Sequence, residues 1–213
     1  MAHDKVYGIC ENKCMVELMN TDELVTRATL IATGLLPKPN AMYQTFRSNS
    51  TAGKYPDETF KYVETRFGIT AKEMFSGCYN LTEVDHLDTT NCTNFTYTFL
   101  SCSKLTKICN LNTALGIQFD GMFGGCGSLT TCPDLNLENA NKTFNPFNAM
   151  FNQCTALTTF TDNPFAPEGS RWQFKDNIDF SSCPLDKASI LKVFNGLQVV
   201  TGKTIIISST TNG

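Results

Sequence analysis

Between Met74 and Phe160 the apolar residues fall into columns rather than into one amphipathic face. Phe75, Phe99, Phe123 and Phe151 form the first column, Cys78, Cys102, Cys126 and Cys154 the second, and Leu81, Leu105, Leu129 and Leu157 the third. In all three the steps are 24, 24 and 28 residues. Phe95, Phe119 and Phe147 keep the last two steps. Local propensity does not generate three independent columns at one period, so the stretch is a repeat array. Within each unit the run Leu81-x-x-Val84-x-x-Leu87, matched by Leu105, Ile108, Leu111 and by Leu129, Cys132, Leu135, predicts a short strand and its turn. The segment typified by Phe119-x-x-Met122-Phe123 predicts the return path, with Phe and Met filling the interior. The longer third step predicts a loop bulging near residues 139–145.

A period of this length with Leu-like spacing points to a β-rich, α+β leucine-rich solenoid of about four coils. Stacked strands about 4.8 Å apart would make its body roughly 20 Å long. Flanking segments should close it, because a terminal coil has no neighbour over its apolar face. Phe60 to Ile69 reads as a lead-in strand. After Phe160 the repeat fades into Pro164, Pro167 and Gly169. Asp186 then caps a predicted helix to about Asn195, with Ile190, Leu191 and Phe194 on its inner face. Gly196 stands at its terminator position. A β-rich run from Thr204 to Ser208 follows.

Upstream, Lys5 to Gly8 and the segment from Cys10 to Cys14 predict an extended arm or short strand, not a packed domain. Thr21-Asp22-Glu23 is a helix start, but Val25, Thr26, Thr29 and Ile31 leave a strand open. Met42 to Phe46 is a candidate degenerate first coil. The expected organisation is therefore an N-terminal arm and linker (1–58), the repeat domain (59–173) and a C-terminal helix-plus-strand cap (174–213).

Composition narrows the chemistry. A formal charge of -3 with scattered basic residues gives no nucleic-acid footprint. Residues 1–7 lack a hydrophobic signal core, and Leu24 to Leu36 is too short to span a bilayer. The 10 cysteines are then expected as thiols, the column members as small buried hydrophobes. Cys92, Cys109 and Cys132 fall in other slots. Cys10 and Cys14 have ligand-like spacing, but a zinc site wants four ligands and no second pair follows. Catalysis is not expected. The histidines are His3 and His86, and a Cys–His pair through His86 would need a cysteine off the column, such as Cys109. The glycines Gly121, Gly124, Gly125 and Gly127 serve repeat turns, not a phosphate loop. Five Asn-x-Ser/Thr triplets, from Asn49, Asn80, Asn91, Asn94 and Asn141, read as turn chemistry. No cofactor or metal is implied.

The units resemble the BspA-like leucine-rich repeats, with Met-Phe, a small pair, Cys, a polar pair and Leu. Met74-Phe75-Ser76-Gly77-Cys78-Tyr79-Asn80-Leu81 carries the pattern. So do the runs starting at Met122 and Met150; the second unit departs, with Thr98 in the Met slot and Leu100 after the Phe. The tail from Pro184 to Thr204 resembles the closing unit of such proteins in gut bacteria and their phages. The opening Val6-Tyr7-Gly8-Ile9-Cys10-Glu11-Asn12-Lys13-Cys14 resembles the start of phage virion appendage proteins. The resemblance implies a structural virion protein, a head fibre or tail appendage assembled in the host cytoplasm. The alternative is a bacterial cell-surface adhesin.

On that reading Val6, Tyr7, Cys10 and Cys14 belong to an anchoring arm that meets other virion proteins. A homo-oligomer is expected, since fibres and spikes are symmetric. The variable strand residues Thr82, Glu83, Asp85, Thr106, Lys107, Thr130, Thr131, Thr158 and Thr159 are the candidate contact face for a host protein or glycan, with a solvated sheet face as the other reading.

Overall fold

The structure, a computed structural model, describes residues 6–9, 15–19, 59–60, 63–64, 70–84, 87–140, 147–161, 177–195 and 201–208. In chain order its strands are β1 (Val6–Ile9), β2 (Met15–Met19), β3 (Thr59–Phe60), β4 (Val63–Glu64), β5 (Glu83–Val84), β6 (Lys107–Ile108), β7 (Thr131–Pro133), β8 (Thr159–Thr161) and β9 (Ile178–Phe180). A helix, α1 (Lys187–Asn195), and a last strand, β10 (Ile205–Ile207), follow.

The sequence period reappears as backbone pairing. Thr59 pairs in parallel with Glu83, and Glu83 with Lys107. Thr131 pairs with Thr159, 28 residues on. The predicted strand segments thus lie side by side, one repeat apart. The row is interrupted between β6 and β7, and the sequence supplies the reason. Cys109 N–H donates to Val84 C=O at 2.8 Å. One repeat on, Pro133 occupies that slot and has no N–H to give.

A second ladder runs through the turns. Within the first unit, Met74, Ser76 and Cys78 donate their amides locally, to Ala71, Glu73 and Phe75. The alternate residues Glu73, Phe75 and Gly77 donate to Thr96, Thr98 and Leu100, in the next unit, at 2.7–2.9 Å. The following units repeat this from Tyr97, Phe99 and Ser101, and from Gly121, Phe123 and Gly125. Such tight alternation requires a left-handed residue at two fixed slots: Glu73, Tyr97, Gly121 and Ala149 in one, Gly77, Ser101, Gly125 and Gln153 in the other.

Side chains of the three columns are buried between these ladders, none more than 5% exposed. Phe75, Phe99 and Phe123 stack with centroids 5.4 and 5.8 Å apart and rings within 4° of parallel. Phe95 and Phe119 do the same at 5.3 Å. Stacked aromatic pairs add about 0.5–1.5 kcal/mol each beyond the area they bury. The column does not fade at Phe160, contrary to the expectation above. Phe151 stacks on Phe180 at 5.2 Å, and Cys183 takes the next thiol slot. Ile205 then pairs in parallel with Ile178. Residues assigned to the cap therefore continue the Phe and Cys columns, after a step of 29 that the sequence periodicity obscures.

The C-terminal helix forms where expected, because Asp186 caps it: Oδ1 accepts Ser189 N–H at 2.7 Å. Its inner face is different. Ser189 and Val193 are buried, with Ile190 packed at the edge of the core. Leu191 and Phe194 are 50% and 49% exposed. The inner face of the nine-residue helix is thus mixed, with Val193 and Ile190 against the core and Ser189 and Lys192 meeting β8, which needs partners there. Phe160 N–H donates to Ser189 Oγ at 3.0 Å, and Lys192 Nζ donates to Phe160 C=O at 2.8 Å.

In the N-terminal segment the described residues form short strands, one of the two expected alternatives. β1 pairs antiparallel with β2 and parallel with β4, Tyr7 opposite Val63 and Gly8 opposite Glu64. The predicted lead-in strand is two short strands, β3 and β4. Phe67 and Ile69, the segments 20–58 and 162–176, and most of the bulge loop lie outside the described residues. Asn139, at the base of that loop, donates Nδ2 to Ala114 C=O at 2.8 Å.

Candidate functional site

The candidate contact face is a row built by β5 to β8 and the residues just before them. Thr106, Lys107 and Thr130 are exposed, and Thr82, Glu83, Thr131, Thr158 and Thr159 are half-buried. Asp85 lies outside the described residues. Parallel pairing brings Thr82 and Glu83 beside Thr106 and Lys107, and Thr130 and Thr131 beside Thr158 and Thr159.

The hydroxyls are largely committed to the ladder itself. Thr106 Oγ1 and the Thr106 amide both donate to Thr82 C=O, at 3.1 and 2.9 Å. Thr158 repeats this on Thr130 C=O, at 3.2 and 3.0 Å. Thr131 and Thr159 share a hydroxyl–hydroxyl bond of 2.9 Å. What the row offers outward is therefore methyl groups and acceptor oxygens more than hydroxyl protons. Lys107 Nζ stands 3.7 Å from Glu83 Oε2, but with side chains 60% and 36% exposed this pair is screened and weak. The described part of the face is nearly neutral.

The cysteine column is a thiol ladder. Cys102, Cys126 and Cys154 direct Sγ at the carbonyls of Phe75, Phe99 and Phe123, at 3.2, 3.2 and 3.1 Å. Cys183 reaches Phe151 C=O at 3.6 Å. Each thiol is thus a donor to the preceding unit, and no disulfide is present among the described residues. Burial pushes the thiols of Cys102, Cys126 and Cys132 well up from their ordinary range. Cys92 is pushed up to about 12 by burial and by the charge of Asp88. The Cys183 thiol is raised first by its hydrogen bond with Cys154 and then by burial. These are inert, protonated groups, unlike reactive cysteines, which sit in electropositive and accessible places.

Val6 and Tyr7 are in β1; Cys10, Cys14, His3 and His86 lie outside the described residues. Cys109 is half-buried at the end of β6. Among the described residues no group of three or more His, Cys, Asp and Glu gathers as a metal site would, and no helix is long and apolar enough to cross a membrane.

Two polar columns are not apparent from the apolar periodicity. Asp88, Asn112 and Asn136 each accept, through Oδ1, the amide two residues on, at 2.9–3.1 Å. Thr89 and Thr113 donate Oγ1 to Asn112 and Asn136 C=O. The signal was the same 24-residue step, carried by polar residues. No family model, no curated protein and no solved structure matches this chain.

Proposed function

We propose that the chain is a structural component of a bacteriophage particle, a head fibre or tail appendage, built on a short leucine-rich-repeat solenoid of the BspA-like kind. The observation that carries the solenoid reading is the one-period parallel pairing of Thr59, Glu83 and Lys107, with the Phe75–Phe99–Phe123 stack behind it. Neither ladder is local, and both keep the sequence step. The virion reading rests on the resemblance of residues 6–14 and 184–204. A weakly charged row with its hydroxyl protons committed to the ladder suits a broad protein contact. The β1–β2 hairpin is the segment for attachment to other virion proteins, and the assembly is a symmetric homo-oligomer. The chain acts by binding and not by catalysis.

Fractionating the source material and tracing the chain by mass spectrometry tests this. Recovery in purified phage particles at many copies each is the expected result. Recovery in the cell-envelope fraction instead overturns it in favour of a surface adhesin.

A further inference from the structure

The turn ladder breaks at one place. Glu73, Tyr97 and Gly121, in one left-handed slot, each donate an amide to the next unit. The fourth member, Ala149, has no acceptor for its amide among the described residues. The rings change angle at the same junction. Adjacent members of the main Phe column tilt by 3°, 4°, 14° and then 30°, the last between Phe151 and Phe180. The rings stay in contact inside while the backbones part outside.

The parting is a half-open cleft of about 520 Å³. This is within the size range of small-molecule sites, about 300–1,000 Å³. Asn148, Ala149 and Asn152 line it from the fourth unit, and Asn177, Asp179 and Ser182 from the fifth. Two of the acceptors are held in place: Asn177 Oδ1 accepts Thr204 N–H at 2.8 Å, and Asp179 Oδ1 accepts Ser181 N–H at 2.7 Å. The half-exposed Ile206 adds apolar surface, over a floor closed by the buried Phe147.

We propose that this cleft is a saccharide-binding site, which goes beyond the virion reading and does not depend on it. Backbone and amide N–H groups beside a carboxylate match a ligand whose hydroxyls both donate and accept. Ile206, 46% exposed at the rim, matches the C–H face of a pyranose ring. Among the described residues no Lys, Arg or His lines the cleft, and Asp179 disfavours an anion there, so the proposed sugar is a neutral one. The Thr row, with its donors committed, is the poorer sugar site.

Backbone amide NMR of the whole chain tests it, with glucose, galactose, mannose and N-acetylglucosamine each added to about 50 mM, enough to populate a millimolar site. At least one sugar should shift the Ala149 and Asn152 amides saturably. Asn148→Ala/Asn152→Ala, both exposed positions, should weaken that sugar at least about tenfold with the rest of the spectrum unchanged. Thr106→Ala/Thr158→Ala should leave it intact. The site is refuted by silence of those amides toward all four sugars, or by loss of the response in the Thr variant but not the Asn variant.

Discussion

The ring of Tyr97 lies against the backbone of Gly121, the residue in the same left-handed slot one repeat later. A β-carbon at Gly121 would stand 2.6 Å from both Cδ1 and Cε1 of that ring, and φ there is +53°. Gly121→Ala therefore meets two penalties, the left-handed cost of about 1–2 kcal/mol and the displacement of the tyrosine. A total loss of about 2 kcal/mol or more is expected in urea unfolding. In a Tyr97→Ala background the loss should shrink by about 1 kcal/mol, the coupling of the pair. Equal losses in the two backgrounds would show that the ring is no obstacle.

Ser101 carries the opposite opportunity. It sits at φ +62° between Gly77 and Gly125, which fill the same slot with glycine. Its side chain makes the left-handed turn at a cost that glycine does not have. Ser101→Gly should raise the urea midpoint by an amount equivalent to about 0.5–1 kcal/mol, with an unchanged m-value. A lowered midpoint would mean that glycine's extra freedom in the unfolded chain outweighs the strain.

These slots mark the limit of what the sequence displays. Large apolar side chains announce the columns of Phe, Cys and Leu, because any polar residue there would lose its hydration inside. The left-handed slots hold Glu, Tyr, Ala, Ser, Gln and Gly, since a backbone angle on an exposed turn tolerates many side chains at modest cost. Phe180 and Cys183 were hidden by the 29-residue step, although both carry their column's residue type. The interruption at Pro133 was readable in principle, because proline in a ladder slot removes a known donor. The inward face of α1 was not readable. Leu191 and Phe194 look like core, and only the unpaired edge of β8 explains why Ser189 and Lys192 face inward instead. The cleft was least visible, because it arises from a mismatch between units and not from any motif.

The thiol ladder makes the fold sensitive to alkali. Five thiols, Cys92, Cys102, Cys126, Cys132 and Cys183, are raised in the folded chain, chiefly by burial or by hydrogen bonding within the column. In the unfolded chain a thiol ionises near pH 8.5. Between that pH and the folded value the native state holds more protons, so stability falls as pH rises. Full stability is expected below about pH 8, with a loss of about 1.4 kcal/mol per pH unit for each such thiol above about pH 9. Thermal melts in reductant across this interval should show it, and Cys126→Ala should flatten the slope. The seven buried thiols among the described residues should also resist alkylation until urea opens the fold. A melting temperature unchanged from pH 8 to pH 10 would mean that these thiols ionise as freely in the native state as in the unfolded one.

Phe160 is where the strand row ends, and α1 closes it. Asp186 N–H donates to Thr158 C=O at 2.8 Å, while Ser189 and Lys192 take the amide and the carbonyl of Phe160. An edge left bare would strand a buried amide and offer a template for pairing with another chain. Ser189→Ala improves intrinsic helix propensity, so any loss it causes comes from Phe160 and not from the helix. The loss should be about 1–3 kcal/mol, the cost of an unsatisfied buried amide. Lys192→Met keeps the aliphatic stem and removes only the donor, so a smaller loss of about 1 kcal/mol is expected. Lys187→Ala, at an exposed position on the same helix, should stay within about 0.5 kcal/mol of the parent. Amide exchange at Phe160 should accelerate in Ser189→Ala while that at Phe123 tracks global stability alone. If Ser189→Ala were as stable as the parent, with Phe160 still protected, the helix would not be the cap of this ladder.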